Sequence, residues 1–247
     1  MADVRTPVAA LLVLALALLA CKSKSDPAPP PSPPPAAPTA SGPCPTGASA
    51  DPGQGEFRPA VTAFQEKQYA TAQLLLDNMM TKYPNSATVR VWRGDAALFD
   101  NKVKELTAAD NSLPFYEEAL KIHGKGCALP ESEHYYLRMG FAYAYLRKKD
   151  GAKALEHLEP ARKQWDNSAE VFYNAARAKC LDKDLDGCVA DFEKSLEIAK
   201  SLRRPKFLRT HRSLDDWIRR SRTQSEFPAL RRDPRYNQIL KKMRDDE

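Results

Sequence analysis

Four histidines, His123, His134, His157 and His211, and five cysteines are the side chains of this 247-residue chain best suited to holding a metal or attacking a substrate. The histidines fall on separate stretches, none at a spacing that aims several ligands at one ion. HExxH, GxSxG, a P-loop and a glycine-rich dinucleotide turn are all missing from the sequence. The sequence therefore predicts no metal, no cofactor and no catalytic centre, and points to a protein that binds. Cys180 and Cys188 stand on two helices joined by a tight turn, which can bring their Cα atoms within the roughly 4.4–6.8 Å that a disulfide requires. Cys44 and Cys127 can then pair with each other, the alternative for each being a free thiol. The fifth cysteine, Cys21, has a different setting.

Cys21 ends an apolar run, Val8 to Ala20, and is followed at once by Lys22-Ser23-Lys24-Ser25-Asp26. Thirteen apolar residues are too few to cross about 30 Å of hydrocarbon, which takes roughly twenty, and suit the core of a signal peptide. Leu18-Leu19-Ala20-Cys21 resembles the bacterial lipobox, in which the cysteine becomes the first residue of the mature chain and carries acyl groups such as palmitate. The resemblance implies a signal peptide over residues 1–20 and lipidation at Cys21. Lys22 is not the Asp that resembles an inner-membrane retention signal, so the expected location is the outer membrane, facing the periplasm. The alternative is an ordinary secretory signal with an incidental cysteine.

Ten of the twenty prolines lie between Pro27 and Pro45, among Ala, Ser, Thr and Gly. Such a segment cannot bury enough apolar surface to offset its chain entropy, and clustered prolines favour an extended polyproline II path. Residues 21–55 thus read as a disordered linker that holds a domain off the membrane, or alternatively as a Pro-rich ligand. The net charge of +6 resides in the C-terminal segment, where Ser201 to Glu247 holds fourteen Lys and Arg against seven Asp and Glu. In an exported protein such a bias meets anionic lipid, glycan or acidic protein faces, and nucleic acid is not an expected partner.

From Glu56 onward, glycine is scarce and apolar residues recur at helical spacing. From Ser168, the order Phe172, Ala175, Ala176, then Leu185, Cys188, Phe192, Ser195 and Leu196 resembles the 34-residue tetratricopeptide pattern. A preceding unit carries Tyr136, Met139, Gly140 and Tyr143, then Ala154, Leu158 and Ala161, with Pro160 expected to bend its second helix. An earlier one carries Tyr69, Ala72, Leu76 and Met79 before Pro84-Asn85-Ser86. Between them lies a divergent unit with Trp92, Gly94, Tyr116, Ala119 and Leu120, an insertion near Asn101 to Asn111, and a loop from His123 to Pro130. The resemblance implies an all-α fold: about four helix-turn-helix repeats over residues 56–200 wound into a right-handed superhelical array. Basic helices over residues 201–247 cap it. Ser213 with Asp216 and Asp233 with Pro234 mark two helix starts in the cap.

In that family, the first helix of each repeat lines a groove that takes a peptide. Matching the pattern residue by residue places Trp92, Asp95 and Phe99, then Arg138, Phe141 and Tyr145, then Tyr173, Asn174 and Arg177 in such a groove. Aromatic faces supply contact area and polar groups supply register. The resemblance implies a non-enzymatic envelope lipoprotein, anchored to the membrane by lipid, that binds another protein as a scaffold or assembly factor. The alternative is an anionic glycan or lipid binder using Arg203, Arg204, Arg209, Arg212, Arg219, Arg220, Arg231 and Arg232.

Overall fold

A computed structural model describes residues 51–127, 129–208 and 212–245 of the chain. Cys21, Cys44, Arg209, the signal segment and nearly all of the Pro-rich linker lie outside the described residues. Within them the fold is all-α, with eleven helices and no strand. The helices are α1 Gln54–Gln65, α2 Tyr69–Lys82, α3 Ala87–Leu98, α4 Glu105–Gly124, α5 Glu131–Arg147, α6 Gly151–Gln164, α7 Ala169–Leu181, α8 Leu185–Lys200, α9 Leu214–Thr223, α10 Pro228–Arg232 and α11 Pro234–Asp245. From α1 to α8 each helix packs on the next, so the elements form a serial array of helical hairpins.

The same turn closes three of the four hairpins. Lys67, Lys149 and Lys183 each adopt a left-handed backbone, with φ of 61°, 58° and 65°. In each turn the following N–H reaches back five residues, Gln68 to the carbonyl of Ala63, Asp150 to Tyr145 and Asp184 to Lys179. This is the six-to-one bond that terminates a helix at a left-handed residue. Lys149 and Lys183 are 34 positions apart. The starts of α3 and α7 also match, because Ser86 and Ser168 each accept a hydrogen bond from the N–H three residues on, Val89 and Val171. These caps satisfy donors that a helix leaves open. The turn between α3 and α4 is different, since residues 99–104 make a longer connection. Most of the insertion placed at Asn101 to Asn111 is helical and lengthens α4 to 20 residues. Pro160 lies inside α6, which continues beyond it to Gln164.

Small residues set the closest approaches. Tyr116 of α4 is wedged between Gly94 of α3 and Gly140 of α5, and a methyl group on either glycine would lie 2.5 Å from its ring. Ala176 and Cys188 are both fully buried in the α7–α8 hairpin, which the Cys180–Cys188 disulfide closes with a Cα separation of 5.3 Å. Cys127 is also buried and disulfide-bonded. The C-terminal helices complete the last hairpin. Trp217, Ile218, Phe227, Leu230, Tyr236, Ile239 and Met243 bury themselves with Tyr173, Phe192 and Leu196. Each large apolar side chain so covered contributes on the order of 1.5–3 kcal/mol. Both expected caps are present: Ser213 accepts from the Asp216 N–H at 3.1 Å, and Asp233 from the Arg235 N–H at 2.9 Å.

Candidate functional site

The first helices of all four hairpins line one depression, which is open to solvent and has a volume of about 500 Å³. Phe64 comes from α1, Asp95 and the following Phe99 from α3, Tyr136, Tyr143 and Arg147 from α5, and Arg177 from α7. Arg212, Arg220 and the turn at residues 224–226 close it from the C-terminal side. Its aromatic wall is continuous. Phe99 makes edge contacts with Phe64 and Tyr143, each at 6.2 Å, and the Arg147 guanidinium lies over the Phe99 ring. Arg147 is held there by donating to the Leu98 carbonyl. Phe99 and Tyr136 are 37% and 39% exposed, and no core contact accounts for leaving such large apolar groups in water.

The floor is a hydrogen-bonded polar chain. Tyr143 donates to Glu170 at 2.5 Å, Asn174 donates to the Tyr143 hydroxyl at 3.4 Å, and Arg177 donates to Asn174 at 2.7 Å. Arg177 also pairs with Glu226, which takes a second ion pair from Lys149 at 2.8 Å. Burial opposes the charged form of Glu226. The positive charge of Arg177 and donors from Lys149, Gln224 and Arg177 outweigh it, and hold the carboxyl at about 2. Lys149, the left-handed residue of the α5–α6 turn, thereby ties the repeat array to the C-terminal segment. Burial and the neighbouring Glu170 push the Tyr143 hydroxyl well above its ordinary value, so it remains a donor.

Asp95 behaves in the opposite way to Glu226. It accepts from Tyr116 at 2.6 Å, but desolvation dominates and pushes its carboxyl up to about 7. A carboxyl raised this far exchanges its proton near neutral pH, so it can donate or accept towards a ligand.

No protein-family model matches the chain, and no curated protein matches it either.

Of the nine residues expected to line a groove, Asp95, Phe99 and Arg177 line this depression. The others sit elsewhere for identifiable reasons. On α5, Gly140 faces Tyr116, and the stripe Tyr136, Met139, Tyr143 and Arg147 turns to the depression. Phe141 is therefore buried, stacked 3.9 Å from His157 of α6, with Tyr145 parallel to both rings at 6.4 and 5.9 Å and Arg138 reaching back to His134. Trp92 packs edge-on against Phe57 and Phe64 of α1. Tyr173 is covered by Trp217, 4.6 Å away, and by Phe227, because the C-terminal segment folds over α7. Asn174 is 1% exposed and belongs to the floor. Sequence reasoning treated Tyr136 and Tyr143 as repeat packing and did not place Arg147 or Glu226. Tyr136, Tyr143 and Arg147 share one helical stripe that a second register would have found. Glu226 carries no local signal. Among the described residues, no group of His, Cys, Asp and Glu is placed to hold a metal, and no helix is long and apolar enough to cross a membrane.

Proposed function

We propose that this chain is a lipid-anchored envelope protein whose tetratricopeptide-like array binds a segment of another protein in the depression formed by α1, α3, α5 and α7. The observation that carries the reading is the exposed Phe99 under the Arg147 guanidinium, with the exposed Tyr136 further along α5, on a floor whose own ionic groups are already paired. Preformed aromatic walls cost little ordering entropy, and paired floor groups leave backbone and aromatic contacts to select an extended or helical segment. The recurring left-handed turn and serine cap support the repeat reading.

Acylation of Cys21 would confine the array to the outer membrane, facing the periplasm, with residues 21–55 as its spacer. Confinement raises the effective concentration of a partner that is itself at the membrane, which suits a scaffold or assembly factor. Crosslinking followed by affinity enrichment from host membranes tests this, with Phe99→Ala/Arg147→Ala compared against Leu74→Ala, whose side chain is exposed away from the depression. Loss of one specific protein from the first variant only supports the reading; equal recovery in both contradicts it. Ending the chain at Arg204 is not a clean alternative, since it would expose the core shared with Trp217, Phe227 and Tyr236. The basic-surface reading predicts instead that binding follows salt and not Phe99. Movement of Cys21→Ala from the membrane to the soluble fraction tests the anchor.

A further inference from the structure

The geometry points to an acidic stretch of the partner protein, next to an aromatic or aliphatic residue, as the occupant of the depression lined by Phe99 and Tyr136. It rests on the protein-binding reading above and adds the charge of the bound segment. Two guanidinium groups carry it. Arg212, just before α9, and Arg220, within α9, both line the depression. Both lie over the buried Trp217 ring, 5.8 and 5.5 Å from its centre, so one indole gathers two like charges. Among the described residues neither pairs with a carboxylate. Asp216, four positions from each in the sequence, pairs with Arg219.

The acids of the depression are engaged elsewhere. Glu226 is matched by Arg177 and Lys149, Glu105 neighbours Arg147, and Glu170 and Asp95 accept tyrosine hydroxyls. Arg212 and Arg220 are thus the cations left for a ligand, and an anion beside them relieves their mutual repulsion. Arginine suits carboxylates because its planar fork donates to both oxygens at once.

The path open to such a segment is longer than one depression. A second, of about 460 Å³, lies between the start of α7 and the connection from α8 to α9, and shares Tyr136, Glu170 and Arg212 with the first. Exposed Arg203 stands in its wall. A chain that seats an apolar side chain against Phe99 and Tyr136 therefore finds Arg220, Arg212 and Arg203 along its continuation. A free anion or a lipid headgroup would use the arginines and leave Phe99 and Tyr136 in water, whereas a peptide uses both. All three arginines belong to the C-terminal segment, so the cap of the array also selects its ligand.

The test selects peptides from a random display library on the full chain in uncharged detergent at constant ionic strength. It is repeated on Phe99→Ala, on Arg212→Gln/Arg220→Gln and on Arg212→Glu/Arg220→Glu. Wild type should select peptides that Phe99→Ala loses and that carry Asp and Glu beside an aromatic or aliphatic residue. A synthetic copy of the most enriched peptide should bind roughly tenfold or more weakly to the Gln variant. The Glu variant should select Lys and Arg instead, a reversal that only a folded variant can show. Phe99-dependent peptides without acidic enrichment overturn this inference and leave the protein-binding reading standing; absence of any Phe99-dependent peptide removes both. The composition selected by wild type decides this even where a variant does not fold. Acidic peptides that bind the folded Gln variant as tightly as wild type also overturn it. So does flotation with phosphatidylglycerol vesicles that the Gln variant loses, with no acidic peptide selected, which would assign the arginines to lipid.

Discussion

Replacing Asp95 with Asn should stabilise the fold, and by an amount that grows with pH. In the native state the Asp95 carboxyl is pushed from 3.8 to about 7, chiefly by desolvation, with the Tyr116 hydrogen bond acting the other way. The folded chain then holds a proton on Asp95 between those values that the unfolded chain has released. Stability therefore falls as pH rises through that window. At 1.36 kcal/mol per pH unit the full shift corresponds to about 4 kcal/mol. Asp95 is partly exposed, and solvent screening reduces this to about 2–4 kcal/mol. Asn keeps an acceptor for the Tyr116 hydroxyl and cannot ionise.

The wild-type profile alone does not isolate the effect. His157, which desolvation and the neighbouring Arg138 depress from 6.5 to about 4, gains stability as pH rises through an overlapping range. The difference between variant and wild type removes that contribution. Urea unfolding at constant ionic strength from pH 4 to 8, with m-values checked for constancy, supplies the measurement. The stability of Asp95→Asn relative to wild type should climb by about 2–4 kcal/mol between pH 4 and 7 and then level off. A difference flat across that range, or one that falls, refutes the desolvation argument.

Three further outcomes follow from the packing and the ion pairs. Gly140→Ala sets a methyl group 2.5 Å from the Tyr116 ring and should cost about 1–3 kcal/mol in chemical denaturation, with Tyr116→Leu costing less in that background than in wild type. Cys180→Ser/Cys188→Ser opens a loop of eight-residue separation and should lose about 2.5 kcal/mol, and reducing agent should cost the wild type more than this because it opens the Cys127 bond as well. Glu226→Gln removes a carboxylate paired with Arg177 and Lys149 and 2% exposed at its side chain, and should cost about 2–4 kcal/mol with faster proteolysis near residue 225. Because Glu226 is held at about 2 against an ordinary 4.5, its contribution is complete above pH 4.5 and is lost as pH falls towards 2. The Gln variant should lack that acid loss.

The helices were legible where local chemistry defines them. Ser86, Ser168, Ser213 and Asp233 are strong cap residues at the positions they occupy. The expected capping role of residues 201–247 is met by Trp217, Ile218 and their neighbours, and the short spacing of Cys180 and Cys188 anticipated their bond. The insertion near Asn101 to Asn111 was legible, but not that most of it extends α4, because that depends on Ala108 and Ala109 being buried against neighbours. The candidate site was half legible. Asp95, Phe99 and Arg177 emerged from repeat register, whereas the rotation of α5 depends on Gly140 meeting Tyr116, a contact 24 residues away along the chain. Burial of Tyr173 depends on α9 and α10 folding back, and the Lys149–Glu226 pair joins positions 77 apart. Such contacts leave no periodic trace.

On the proposed function, the depression lined by Phe99 and Tyr136 receives a segment of another protein. Its most direct test places a photo-crosslinking amino acid at position 136 and, separately, at position 74 in the full chain within its host envelope. A single protein adduct from position 136, absent at position 74 and diminished by Phe99→Ala, is the predicted result. Adducts to lipid or glycan only, or the same protein captured equally from both positions, would rule out a protein segment in this depression.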